Sequence, residues 1–187
     1  MRVAEAVGRV VAGAGPRHAF GVVGSGNFHV TNALVAAGAR FVAARHEGGA
    51  ATMADAYARL SGEVGVLTLH QGCGLTNAMT GITEAAKSRT PLLVLAADTA
   101  ADAVRSNFRI DQDALVAAVG AVPHRIRTPE TAVEDTVAAL RTAVTGRRTV
   151  VLNLPLDVQA AELPGELVVP GPPSPPPRPR TTPPGSS

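Results

Sequence analysis

The chain has 187 residues, 45% of them hydrophobic and 17% charged, with a formal net charge of +2; that suits one domain with a real core rather than two. Five aromatic residues with no basic run between them argue against a stacking platform for nucleic acid, and the lone Cys73 excludes an internal disulfide. No stretch reaches the roughly 18 apolar residues of a membrane span, so the expectation is a soluble cytoplasmic protein with neither a membrane nor a nucleic-acid partner.

Taken in chain order, "MRVAEAVGRVVAGAG" sets Val3, Val7, Val10 and Val11 on one face of a helix over about 2–13, and it lacks the cleavage site of a signal peptide. A strand (18–24), a helix (26–37), a strand (40–45) and a helix (48–60) follow. Next come a strand (64–70), a helix (75–88) and a strand (91–98). A charged loop leads to a short helical piece (111–119), a strand (124–128), a helix (129–145) and a last strand (149–155). Strands that are continuous apolar runs, such as Leu92 to Ala97, are expected to be buried on both faces. Alternating with helices, they predict an α/β domain: an open, doubly wound sheet of about six mainly parallel strands with helices on both faces. Ten of the fifteen prolines fall from Pro164 onward, which divides the chain into a domain over 1–163 and a disordered or polyproline-type tail over 164–187.

In such a sheet, ligands sit beyond the carboxyl ends of the strands. Four loops there carry polar or glycine-rich sequence. "GVVGSGNF" offers Gly24 and Ser25 at a strand-to-helix turn, where free backbone N–H groups can face a ligand, though a tight turn would read the same way. "HQGCGLTNAMTG" places Gly72, Gly74 and Asn77 between a strand and a helix, with His70 at the strand end as a candidate proton donor or acceptor. Asp98 lies 24 residues beyond Gly74, close to where a dinucleotide fold keeps its ribose-binding acid, so an NAD- or FAD-binding domain is one alternative. Cys73 reads as a small side chain in a turn, His46 as structural, and Asp98 and Arg105 as solvated. The five histidines show no metal-ligand spacing, and no metal site is expected on this chain.

The pivotal stretch is "RHEGGAATMADAYARLSG", where Glu47 opens a helix. An acid there gains about 0.3–1 kcal/mol from the helix dipole, but that does not account for the small residues Gly48, Gly49, Ala50 and Ala51 directly after it. Small residues let a helix approach another body closely, and a carboxylate walled by apolar groups favours its protonated form and can share a proton with a nitrogen base.

The blocks "FGVVGSGN", "RHEGGAATMADAYARLSG", "VGVLTLHQGCGLTNAMTGITEA", "PLLVLAAD" and "TVVLNLPLDV" together resemble, in order, the pyrimidine-binding N-terminal domain of thiamine-diphosphate enzymes: the acetolactate synthase, benzoylformate decarboxylase and pyruvate oxidase group. The resemblance implies a lyase or transferase component acting on a 2-keto acid by decarboxylation or carboligation. It makes Glu47 the acid that hydrogen-bonds a ring nitrogen of the cofactor's aminopyrimidine and drives it toward the imino tautomer, which strips the thiazolium proton. Asn77 and the backbone of Gly72 to Gly74 would lie against the same ring, with Gly24 and Ser25 approaching it. His70 is similar to a histidine of benzoylformate-decarboxylase-like members that handles substrate protons.

Gln71-Gly72-Cys73-Gly74 stands where synthases show Ser-Gly-Pro-Gly, and Arg109-Ile110 follows Phe108 where they show Gln-Glu. The chain also lacks the family's Gly-Asp-Gly motif for diphosphate and Mg2+. The resemblance therefore implies a partner domain or subunit that carries these, within a homo- or hetero-oligomer, and a chain inactive by itself. The second alternative is a non-catalytic module that dimerises through helices 48–60 and 75–88.

Overall fold

The computed structural model describes residues 1–173. Seven helices and six strands alternate: α1 Val3–Gly13, β1 His18–Gly21, α2 Phe28–Ala36, β2 Arg40–Ala43, α3 Glu47–Ser61, β3 Gly65–Leu69, α4 Cys73–Lys87, β4 Leu92–Asp98, α5 Gln112–Ala118, β5 Val122–Arg125, α6 Ala132–Thr145, β6 Thr149–Pro155 and α7 Leu156–Ala160. The strands form one sheet in the order β2-β1-β3-β4-β6-β5, and every pairing is parallel. This is the doubly wound α/β fold that the apolar runs predict.

The central strands β3, β4 and β6 are buried along their whole length. Their side chains alternate between two cores, as the period of two requires. Leu93 and Leu95 of β4 with Val150, Leu152 and Leu154 of β6 meet α1, α2 and α6 on one face. Leu92, Val94 and Ala96 with Leu67 and Leu69 meet α3, α4 and α5 on the other. Each fully buried Leu contributes about 1.5–3 kcal/mol. No helix among the described residues is long and apolar enough to cross a membrane.

Helix ends follow local chemistry. The His46 Nδ1 accepts the Gly48 N–H at 3.0 Å and caps α3, while Gly62, at φ 75°, closes its C-terminus in the left-handed region. Several elements differ from expectation, β1 ending at Gly21 rather than 24 and β2 at Ala43 rather than 45. The fifth strand lies at Val122–Arg125 rather than 124–128 because Arg127 turns away: its N–H donates to Asp135 Oδ2 at 3.0 Å and its guanidinium pairs with the same carboxylate. Helix α6 starts three residues later than expected because Thr128 and Thr131 hydrogen-bond one another in a turn before it. The five-residue α7 after Pro155 was not expected.

Past residue 163 the described chain carries no helix or strand, yet Leu163 and Leu167 pack on the α1/α6 core. The Met1 ammonium meets Glu162 at 2.7 Å. Residues 174–187 of the expected tail lie outside the described residues.

Helices α3 and α4 pack together, and a Cβ added at Gly81 would stand 2.6 Å from the Ala51 Cβ. Gly81→Ala is therefore expected to cost about 1–3 kcal/mol by urea unfolding. Gly49→Ala, where nothing lies within 4 Å, should instead be neutral or gain up to about 1 kcal/mol.

Burial alone would raise Asp135, but hydrogen bonds from Arg127 and Thr131 outweigh it and hold the carboxyl below its usual range. A depressed carboxyl stabilises above its unfolded value and loses that contribution as pH falls through the folded one. Asp135→Asn should thus lower the melting temperature at neutral pH, with the difference shrinking on acidification.

Candidate functional site

Helix α2 leaves β1 on one face of the sheet, whereas α4 leaves β3, its neighbour, on the other. The two loops diverge there and open a crevice beyond the carboxyl ends of β1 and β3, the switch point where open α/β sheets place ligands. Gly24, Ser25, Glu47, His70, Gly74 and Asn77 come together there.

The loops interlock. A Cβ on Gly24 would stand 2.6 Å from His70 Cδ2, and one on Gly26 would collide with Gln71 Oε1 and approach Ala97 Cβ to 2.8 Å. The two glycines of "GSG" thus leave room for two side chains of the opposite loop. Asn27, fully buried, fixes the first turn: its Oδ1 accepts the Gly24 N–H at 2.8 Å, and its Nδ2 donates to Val22 O and Thr68 Oγ1, both at 3.1 Å. The exposed Ser25 hydroxyl reaches His70 Nε2 at 3.4 Å, and His70 Nδ1 lies 3.0 Å from Gln71 O. The Phe108 ring stands edge-on to His70 with centroids 5.0 Å apart. Gln71 Oε1 is the single buried side-chain polar atom without a partner among the described residues.

Glu47 is the first residue of α3 and half-buried. Its Oε2 accepts Asn77 Nδ2 from α4 at 3.0 Å. Its Oε1 has no hydrogen-bond partner among the described residues, and Glu47 enters none of their ion pairs. A Cβ on Gly74 would stand 3.7 Å from that free oxygen and 3.1 Å from the His70 Cβ. The missing side chain therefore leaves a cradle between the acid and the histidine, bounded by backbone at Gly72 to Gly74.

The small residues after Glu47 do not wall the carboxylate, contrary to the expectation from sequence. Ala50 and Ala51 are fully buried in the core beneath α3, and Gly49 faces open space. Their effect is on the approach of α4: a Cβ on Gly48 would come within 3.2 Å of the Asn77 carbonyl oxygen. That closeness brings the Asn77 side chain to Glu47.

Asp98 lies elsewhere, in a cavity of about 580 Å³ beyond β4 and β5. Its Oδ1 accepts the Thr99 N–H and its Oδ2 accepts Arg125 Nη1, each at 2.7 Å, so Asp98 is buried and paired rather than solvated. Cys73 is an exposed free thiol at the start of α4. No three His, Cys, Asp or Glu side chains cluster as a metal site among the described residues. Sequence reading missed Asn27, Gln71 and Gln112; only Asn27, directly after the glycine turn, carried a local signal as a turn-fixing residue.

Residues 1–119 match the family described as "Thiamine pyrophosphate enzyme, N-terminal TPP binding domain". The chain is 33% identical over 166 residues to a probable acetolactate synthase large subunit of Methanocaldococcus jannaschii, covering 87% of this chain and 28% of that protein. It is 34% identical over 163 residues to a probable 2-ketoarginine decarboxylase of Pseudomonas aeruginosa, covering 84% and 29%. A Rhodococcus jostii thiamine diphosphate-dependent 4-hydroxybenzoylformate decarboxylase superposes with a TM-score of 0.78 at 24% identity, covering 88% of this chain and 32% of that one. The chain thus spans less than a third of each of these relatives.

The interlocked loops make a prediction. Gly26→Ala should destabilise by about 1–3 kcal/mol through overpacking, and adding Gln71→Ala should recover part of that loss in a double-mutant cycle.

Proposed function

The chain belongs to the family of thiamine pyrophosphate enzyme N-terminal TPP-binding domains, and from that premise we propose that it is the pyrimidine-holding half of a 2-keto acid decarboxylase or carboligase related to acetolactate synthase. One observation carries the reading: Glu47 is held through one oxygen by Asn77, while the other oxygen, unpaired, faces the cradle left by Gly74. A structural acid at a helix start would need no such partner and no such opening.

Bound thiamine diphosphate supplies the carbon nucleophile and electron sink for chemistry beside a keto group. In this proposal the chain's own residues hold and time the protons. Glu47 shares its proton with a ring nitrogen of the pyrimidine, and Asn77 fixes the carboxylate's orientation. The backbone from Gly72 to Gly74, with Gly24 and Ser25, would help to hold the ring. His70, whose Nε2 faces Ser25, would hold or move a proton at the substrate oxygen, and the Phe108 ring packs edge-on against that histidine. A diphosphate- and Mg2+-binding domain or subunit completes the site in a cytoplasmic homo- or hetero-oligomer.

The test is to co-express the chain with a diphosphate-domain partner and assay 2-keto acid decarboxylation with thiamine diphosphate and magnesium. Glu47→Gln is expected to cut kcat by roughly 10²–10⁴-fold, because the amide cannot share a proton in the same way. An active complex whose rate is unchanged by that substitution would sink the assignment.

A further inference from the structure

We propose that Gln112 is a positioning residue, whose buried carboxamide clamps the turn carrying His70, Gly72 and Gly74 to strands β4 and β6 at the carboxyl edge of the sheet. The proposal rests on the reading that this turn faces the cofactor, and it assigns a part in the site to a residue of α5 that does not touch Glu47.

Gln112 is 1% exposed. Its Oε1 accepts the Gly72 N–H at 2.9 Å across forty residues of sequence. Its Nε2 donates to Ala97 O at 3.1 Å and to Asn153 Oδ1 at 2.6 Å. One acceptor and two donors are thereby all used, and turning the amide over would set donor against donor and acceptor against acceptor. Asn153, fully buried, continues the chain by donating Nδ2 to Asp113 Oδ1 at 2.6 Å. Asp113 pairs with Arg125 at 3.2 Å, and Arg125 with Asp98 at 2.7 Å. Burial would lower Arg125, but the two carboxylates outweigh it and raise it, so the ladder ends on a firmly charged guanidinium.

The turn needs such a hold. Gly72 sits at φ 61° and ψ −102°, outside the conformations that L side chains adopt. The segment carrying Gln112 grips it twice, since the Phe108 carbonyl covers the Gly72 Cα while the Phe108 ring abuts His70. Apolar side chains could fill this volume, but only a satisfied polar network fixes the direction of the Gly72 amide plane. That plane sets where the backbone of Gly72 to Gly74 stands relative to Glu47.

Amide hydrogen exchange on the full, isotopically labelled chain tests this, read as the ratio of the Gly72 rate to that of Val94 in the core strand β4. Gln112→Met should raise the ratio about tenfold, the loss of one buried hydrogen bond, and weaken the nuclear Overhauser contact between the His70 and Phe108 rings. If Gln112→Met does not fold, Gln112→Asn, one methylene too short to span the ladder, takes its place with the same expectation. An unchanged ratio in the Met or Asn variant overturns the proposal. None of these rates involves the cofactor, so failure here leaves the Glu47 reading standing, and failure of the Glu47 assay leaves the clamp standing.

Discussion

Glu47 and Asn77 are thirty residues apart in sequence and meet because α3 and α4 approach more closely than helices with ordinary side chains can. Gly81 rests on Ala51, and Gly48 admits the Asn77 backbone. Close packing of small residues is thus what turns two helix N-terminal regions into one polar site. The stability of that contact comes from the core beneath it, where Ala50, Ala51, Ala54, Ala78, Ile82 and Ala85 lie fully buried on β3 and β4.

The second requirement is a crevice, and the topology supplies it. With all six strands parallel, every strand exits at the same edge, and the divergence of α2 and α4 opens a gap that neither helix can fill. The interlocked glycines and side chains of the two loops then give the gap a fixed floor. On that floor stand the groups the proposed chemistry needs: a carboxylate with one free oxygen, a histidine in reach of a hydroxyl, and backbone freed of side chains at Gly72 and Gly74. The same edge holds the Asp98–Arg125 pair in a separate cavity, where both carboxylate oxygens are occupied. The family match favours the thiamine reading over the dinucleotide alternative.

Much of this was legible in the sequence because local patterns carried it. The apolar runs in β3, β4 and β6 mark strands buried on both faces, and glycine, histidine and acid at the strand ends mark the loops that matter. The failures share one physical cause, which is that the deciding contact is distant in sequence. The fifth strand was placed two residues late because "HRIRT" gives no hint that Arg127 turns to Asp135. The Gly-Gly-Ala-Ala run after Glu47 read as a wall for the acid, since sequence does not say which side of a helix faces its neighbour. Gln112 was invisible for the same reason: its value lies in Gly72, Ala97 and Asn153, none of them near it in the chain.

The central claim is that this crevice holds the pyrimidine end of thiamine diphosphate against Glu47. Titrating the isotopically labelled chain with thiamine diphosphate and magnesium, and following every backbone amide by NMR, tests it most directly. The account predicts shifts confined to residues 24–26, 47–49 and 72–77, and their loss in Glu47→Gln. Shifts centred instead on Asp98, Arg109 and Arg125, or a pattern unaffected by that substitution, would contradict it.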